Sequence, residues 1–188
     1  MKRLFYILAT AIMAVSAMAE GHMKFKDVEI DGTYDAFLSA LTKHGCMTIQ
    51  NAEGASVSRG NFAGVEMTII PQTTSQTKKV YGVVASTDTQ KEWGSINAQY
   101  SELKSLLTKR YGNGQWLSNK KEGYCISEKY KIERGNIQSA ILFETESGKI
   151  IMYMHRTTPQ DIETGTLVVW YIDNANYEIW MQEANLDL

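Results

Sequence analysis

The chain is poor in the residues that mark several protein classes. Its 188 residues include only two prolines and two cysteines. A proline-rich linker or collagen-like chain is excluded by the first number, and a disulfide-dense scaffold by the second. Basic charge is also scarce: nineteen Lys and Arg stand against twenty-one Asp and Glu, a formal net charge of -2. Binding to nucleic acid needs clustered Lys and Arg against phosphate, and the short runs Lys78-Lys79 and Lys120-Lys121 do not supply it. No CxxC, HxxH or HExxH spacing occurs, so the usual metal-site patterns are missing. No stretch approaches the ~20 apolar residues that a membrane-spanning helix needs.

What is present begins with an export signal. Lys2 and Arg3 precede an uncharged, mainly apolar run from Leu4 to Val15, and Ala17-Met18-Ala19 has the small-x-small form of a cleavage site. The expectation is a cleaved signal peptide over residues 1–19 and a mature chain from Glu20, located in the periplasm or secreted. With Lys2 and Arg3 removed, seventeen basic residues face twenty-one acidic ones, a charge of -4. No cysteine stands near the cleavage point to carry a lipid.

The mature chain alternates helical and strand patterns. Tyr34, Phe37, Leu38 and Leu41 follow the i, i+3, i+4, i+7 spacing of one helix face. With Asp31-Gly32-Thr33 before them and Gly45 after, they predict a helix over Tyr34 to His44. Strands are expected at Cys46 to Gln50, Ala55 to Arg59, Val65 to Ile70 ended by Pro71, and Val80 to Ser86. Thr89 and Glu92 have capping-box spacing. Behind them the stripe Trp93, Ile96, Tyr100, Leu103, Leu107, closed by Gly112, predicts a second helix from Lys91 to Tyr111. Further strands are read at Tyr124 to Ile132, Ile137 to Phe143, Ile150 to Arg156 and Leu167 to Ile172, with Arg134-Gly135-Asn136 and Glu146 to Lys149 as turns. Tyr177, Trp180 and Met181 could share a helical face in the tail.

Helix and about four strands therefore occur twice, and Leu41-Thr42-Lys43-His44-Gly45 echoes Leu107-Thr108-Lys109-Arg110-Tyr111-Gly112. The expected class is α+β: two tandem helix-plus-antiparallel-sheet units, residues 20–88 and 89–188, as separate halves or one continuous domain. The segment Met23 to Thr33 with Phe37, Leu41 and Gly45, then Gly60-Asn61-Phe62-Ala63-Gly64, then Trp93 through Gly112, resembles a family of short exported proteins of unknown function from Gram-negative gut anaerobes. Asp27 stands where that pattern expects glycine, and Cys46 where it expects an aromatic. The tandem plan is also similar to the fold of beta-lactamase inhibitor proteins. These resemblances imply an envelope or secreted binding module and transfer no catalytic motif.

Candidate sites are few. Cys46 and Cys125 could form a disulfide in an oxidising compartment, worth about 4 to 5 kcal/mol in the loop-entropy model, or remain buried thiols. A cysteine nucleophile beside His44 or His155 would need base and orienter in place, and no local signature surrounds either cysteine. His44-Gly45-Cys46 lacks the further ligands of a zinc site, and His44 suits the end of a helix dipole. Glu144 with Glu146, and Asp161 with Glu163, have the i, i+2 spacing of solvated acids. Gly60-x-x-x-Gly64 has no Lys-Ser/Thr after it and is no phosphate loop. Of the four tryptophans, Trp93 and Trp170 lie in apolar patterns and are expected in the core. Trp116 and Trp180 are the candidates for a recognition surface. The functional expectation is an exported soluble binding module with no cofactor, no metal and no catalytic residue. Its partner would be an envelope or extracellular protein or a glycan. A hydrolase with an unrecognised site and a secreted enzyme inhibitor are the alternatives.

Overall fold

The computed structural model describes residues 21–88, 91–117, 137–156 and 164–186. The chain opens with a hairpin of β1 (Lys24–Phe25) and β2 (Val28–Glu29). Its two turn residues, Lys26 and Asp27, have φ of 50° and 64°. Left-handed backbone at Asp27 is the physical reason a glycine suits that position.

Helix α1 (Tyr34–Lys43) follows, with Thr33 as N-cap accepting from Ala36 N–H, Asp35 in its first turn and Lys43 in its last. Left-handed Gly45, φ 82°, lets the chain reverse into β3 (Met47–Gln50), β4 (Ser56–Phe62), β5 (Val65–Thr73) and β6 (Val80–Ser86). The short β7 (Lys91–Glu92) leads into α2 (Trp93–Tyr111). Then come β8 (Gln115–Trp116), β9 (Ile137–Glu144), β10 (Gly148–Arg156), β11 (Thr164–Asp173) and a final helix α3 (Asn174–Leu186).

The expected α+β class is observed. Strands β3 to β11 form one antiparallel sheet in the order β3-β4-β5-β6-β11-β10-β9-β8, with β7 paired to β11. Strand β6 meets β11 over Gly82 to Ser86 against Val168 to Ile172, so the two stretches of the chain share a continuous ladder. Both α1 and α2 lie on one face. Phe37, Leu38 and Leu41 of α1, and Ile96, Tyr100, Leu103 and Leu107 of α2, join one core with Ile69, Val83, Ile141, Ile150 and Val169. The other face buries Tyr81, Leu142, Ile151, Tyr153, Val168, Trp170 and Ile172. Side chains alternate between faces along a strand. The run Leu167 to Ile172 is apolar throughout because β11 is buried on both of them.

Two boundaries depart from the sequence pattern for reasons the sheet supplies. Strand β5 runs through Pro71, which pairs with Val83. Strand β4 accompanies β5 only as far as Ser58 and Ile69, so β5 has an edge where the proline's missing N–H is tolerated. Helix α2 starts at Trp93, because Lys91 and Glu92 pair with Gly165 and Thr164. Its N-cap is Glu92, which makes no side-chain cap bond. Thr89, the other member of the expected capping box, lies outside the described residues, as do the Tyr124 to Ile132 strand and the Arg134-Gly135-Asn136 turn. The ambiguous tail is helix.

Strand β9 carries a bulge. Met152 pairs with Ile141 and Met154 with Gln138, so the register shifts between them. Ser139 there has φ 53°, and its carbonyl accepts from the Tyr100 hydroxyl of α2, a bond that locks helix to bulge. Burial pushes the Tyr100 phenol up to about 12, which keeps it a neutral donor.

Candidate functional site

Among the described residues the sheet ends at β3 and β8, and the two most exposed large apolar side chains there sit on these strands: Met47 at 64% and Trp116 at 59%. Trp116 lies beside α2, whose Lys104 places Nζ 4.3 Å from the ring centre. An exposed indole under a cation is a half-satisfied platform, since a cation–π contact at such a site is worth about 0.5 to 1 kcal/mol.

Trp180 is placed differently. It is half-buried on α3, its ring stacked on Tyr81 at 5.3 Å and on Tyr177 at 5.1 Å between centroids, and it packs against the core of the second face. Trp170 is buried, and Gly82 makes room for it: a Cβ at Gly82 would stand 2.9 Å from Trp170 Nε1. Trp93 is half-buried against the first core, lying over Gly165.

Polar anchors hold α3 at both ends. Asp173, buried at the end of β11, accepts from the N–H of Asn176 at 2.9 Å, capping the helix, and from the N–H of Met23 at 2.8 Å. His22 Nδ1 lies 3.2 Å from the same carboxylate. The buried Asn176 amide donates to the carbonyls of Ile30 and Val80 and to Asp31 Oδ1, each at 3.0 Å. Partial burial works to raise the Asp31 carboxyl. The Gly32 N–H, the Asn176 amide and the charges of His22 and Lys79 outweigh it and hold the group below the usual carboxylate range. Near the other end Glu183 reaches the loop after β5. It accepts from Gln76 N–H at 2.6 Å, Thr77 N–H at 3.1 Å, Thr77 Oγ1 at 2.8 Å and Ser75 Oγ at 3.2 Å. Burial would raise its pKa, but these four donors prevail and hold it down to about 2.

An open groove of about 590 Å³ runs between α1 and the β3–β4 hairpin, lined by Asp35, Leu38, Ser39, Thr42, Lys43, Thr48 and Ser56. It mixes hydroxyls with one charge of each sign.

The remaining sequence candidates are dispersed. Cys46 is a buried free thiol, and its Sγ would lie 2.7 Å from a Cβ at Gly60, so Gly60 serves as the gap that receives it. Cys125 lies outside the described residues. His44 is exposed at the C-cap of α1. His155 is in β10, where burial lowers its pKa. Glu144 and Glu146 are exposed, and Asp161 and Glu163 lie outside the described residues. No group of three His, Cys, Asp or Glu that could hold a metal occurs among the described residues. No helix there is long and apolar enough to cross a membrane.

Sequence reading missed Asp173, Asn176 and Glu183. An Asp just before a periodic segment is an N-cap signal and could have found the first. Asn176 and Glu183 bond to groups far away in the chain, and local pattern carries no trace of them. No protein-family model matches this chain, and no curated protein or solved structure matches it either.

Proposed function

We propose that the chain is an exported interaction module that docks a protein partner of the cell envelope or its surroundings through the edges of its sheet. The observation that carries this reading is the placement of Met47 and Trp116, the most exposed large apolar side chains among the described residues, on the two strands that end the sheet there. A strand edge offers main-chain donors and acceptors that a polypeptide matches, and an aromatic beside it supplies contact energy. Export is supported by Lys2-Arg3, the apolar run Leu4 to Val15 and Ala17-Met18-Ala19. Two tandem units, in a plan similar to that of beta-lactamase inhibitor proteins, are supported by the strand order. The meander β3 to β6 follows α1, β8 to β11 follows α2, and the last strands β6 and β11 meet at the centre.

Photo-cross-linking tests the proposal. A photoreactive residue at Met47 or Trp116 in the exported chain is expected to capture a discrete protein adduct in the native envelope. The same residue at Leu106, exposed on α2, is expected not to. Equal adducts at all three positions, or none at the two edges, would overturn it. Amino-terminal sequencing of the exported chain should begin at Glu20.

A further inference from the structure

The surroundings of β3 narrow what that edge can take. Asn51 N–H donates to Ala55 O at 2.9 Å, which makes this a hydrogen-bonded pair closing the β3–β4 hairpin. Such pairs alternate along an antiparallel ladder. Ile49 and Met47 therefore turn their main-chain groups toward their partners Val57 and Arg59, and Thr48 and Gln50 turn theirs outward. Among the described residues no strand lies on that side. Edges are commonly guarded by Lys, Pro, bulges or inward charges. Met47-Thr48-Ile49-Gln50 has neither charge nor proline, and its register with β4 is unbroken.

The groove opens beside this edge, with Thr48 of β3 and Ser56 of β4 opposite the helix. Residues 35, 38, 39, 42 and 43 form a stripe of α1 displaced from the core stripe of Phe37, Leu38 and Leu41. Helix and hairpin run in opposite senses: Thr42 Oγ1 is 3.3 Å from Thr48 Oγ1 at one end, and at the other the Tyr34 hydroxyl reaches over β4 to donate, at 2.6 Å, to the carbonyl of Ser56, which is the partner of Gln50 and by the same alternation faces away from β3. Asp35 and Lys43 are exposed and stand at opposite ends of the groove, about 12 Å apart along the helix axis. An extended chain covers that distance in about four residues. A strand added antiparallel to β3 runs parallel to α1, so its amino-terminal end lies beside Asp35 and its carboxyl-terminal end beside Lys43.

We propose that the groove between α1 and β3 binds an extended segment of a partner polypeptide, added antiparallel to β3, with a basic residue beside Asp35 and an acidic residue about four positions later beside Lys43. Its main chain pairs with Thr48 and Gln50. Its side chains on the helix side meet Leu38, Ser39 and Thr42, a lining that suits small residues. The inference rests on the interaction-module reading and gives one edge its occupant.

The test uses the mature chain and an end-blocked peptide in which lysine and glutamate flank alternating valine and threonine. In the free protein the Thr48 and Gln50 amides should exchange freely, and saturating peptide should slow them by about tenfold or more. A peptide with lysine and glutamate interchanged should bind about two- to fivefold more weakly per charge. The Asp35→Lys/Lys43→Glu variant should reverse that preference, and Asp35→Asn/Lys43→Gln should abolish it. Thr48→Pro removes one outward N–H without touching the β4 ladder and should eliminate binding with little change in melting temperature. Gln50→Pro serves the same purpose if Thr48→Pro unfolds. Protection already complete in the dilute free chain, protection that grows with protein concentration alone, or binding indifferent to all four charge changes would each overturn the site. Should the peptide fail while a photoreactive residue at Trp116 still captures its adduct, the groove assignment falls and the module reading stands.

Discussion

The two faces of the sheet are closed by different physics. Under α1 and α2 the contact is a broad aliphatic core in which Leu41, Ile69, Ile96, Leu103 and Ile141 are all essentially inaccessible to solvent. Under α3 the contact is a small aromatic stack of Tyr81, Tyr177 and Trp180. Directional bonds fix it, Asp173 and Asn176 at the start of the helix and Glu183 near its end. Apolar burial is non-directional and insensitive to pH, whereas a carboxylate that accepts four hydrogen bonds holds its partners only while ionised. The first two helices should therefore behave as part of the core, and α3 as an element whose docking depends on a few named groups.

The largest effect should come from the first face. Leu103→Ala deletes a wholly buried side chain and should lower unfolding free energy by about 2 to 5 kcal/mol, read from denaturant melts. Trp180→Ala removes a larger side chain but one that is half-buried. Its loss includes the stacking on Tyr81 and Tyr177, about 0.5 to 1.5 kcal/mol each, plus partial burial, so about 2 kcal/mol. If Trp180→Ala costs as much as Leu103→Ala, the aromatic stack is a second core and the contrast between the faces disappears.

A smaller, pH-gated effect separates the faces further. The folded pKa of Glu183, about 2, lies below its ordinary 4.5. Its contribution is thus complete above about pH 4.5 and lost as pH falls toward 2. Across that window the Gln76 and Thr77 amides, corrected for intrinsic exchange, should lose protection while amides of α2 keep theirs. Glu183→Gln should remove this pH dependence and leave the two amides weakly protected throughout. Simultaneous loss in loop and α2 would mean global acid unfolding, and α3 docking would then have no separate switch.

The same contrast explains what could be read from sequence. Helix α1 and most of α2 were legible because their apolar stripes repeat locally, as Phe37, Leu38 and Leu41 do, and strands β6 and β10 because their apolar runs are bounded by turns. The class and the existence of two helix-then-strands stretches followed from that. The pairing of Lys91 and Glu92 with Gly165 and Thr164 did not, because it is set by a strand some seventy residues away, and it displaced the start of α2. Pro71 ended a strand on local grounds, but the sheet continues where β4 has stopped pairing. Trp180 resembled an exposed aromatic because its stacking partner Tyr81 is distant in sequence. Of the groove, only the helix stripe could be inferred. That its flank runs beside an unguarded strand edge depends on the turn at Gly45 and on the β3–β4 register.

Trp116 gives the smallest effect on stability and therefore the sharpest separation of folding from recognition. Its ring is mostly exposed and meets Lys104 of α2, so Trp116→Ala should cost no more than about 1 kcal/mol. The same substitution removes the largest apolar surface at the β8 edge. If that edge docks a partner, the adduct captured from a photoreactive residue at the neighbouring Gln115 should fall sharply in the Trp116→Ala chain while the melting temperature hardly moves. A Lys104→Ala chain keeps the indole and loses only the cation, so it should retain most of the adduct. A large drop in stability with Trp116→Ala would instead make the ring a cover for β8 and β9 and would take it out of the recognition surface, leaving β3 as the edge to pursue.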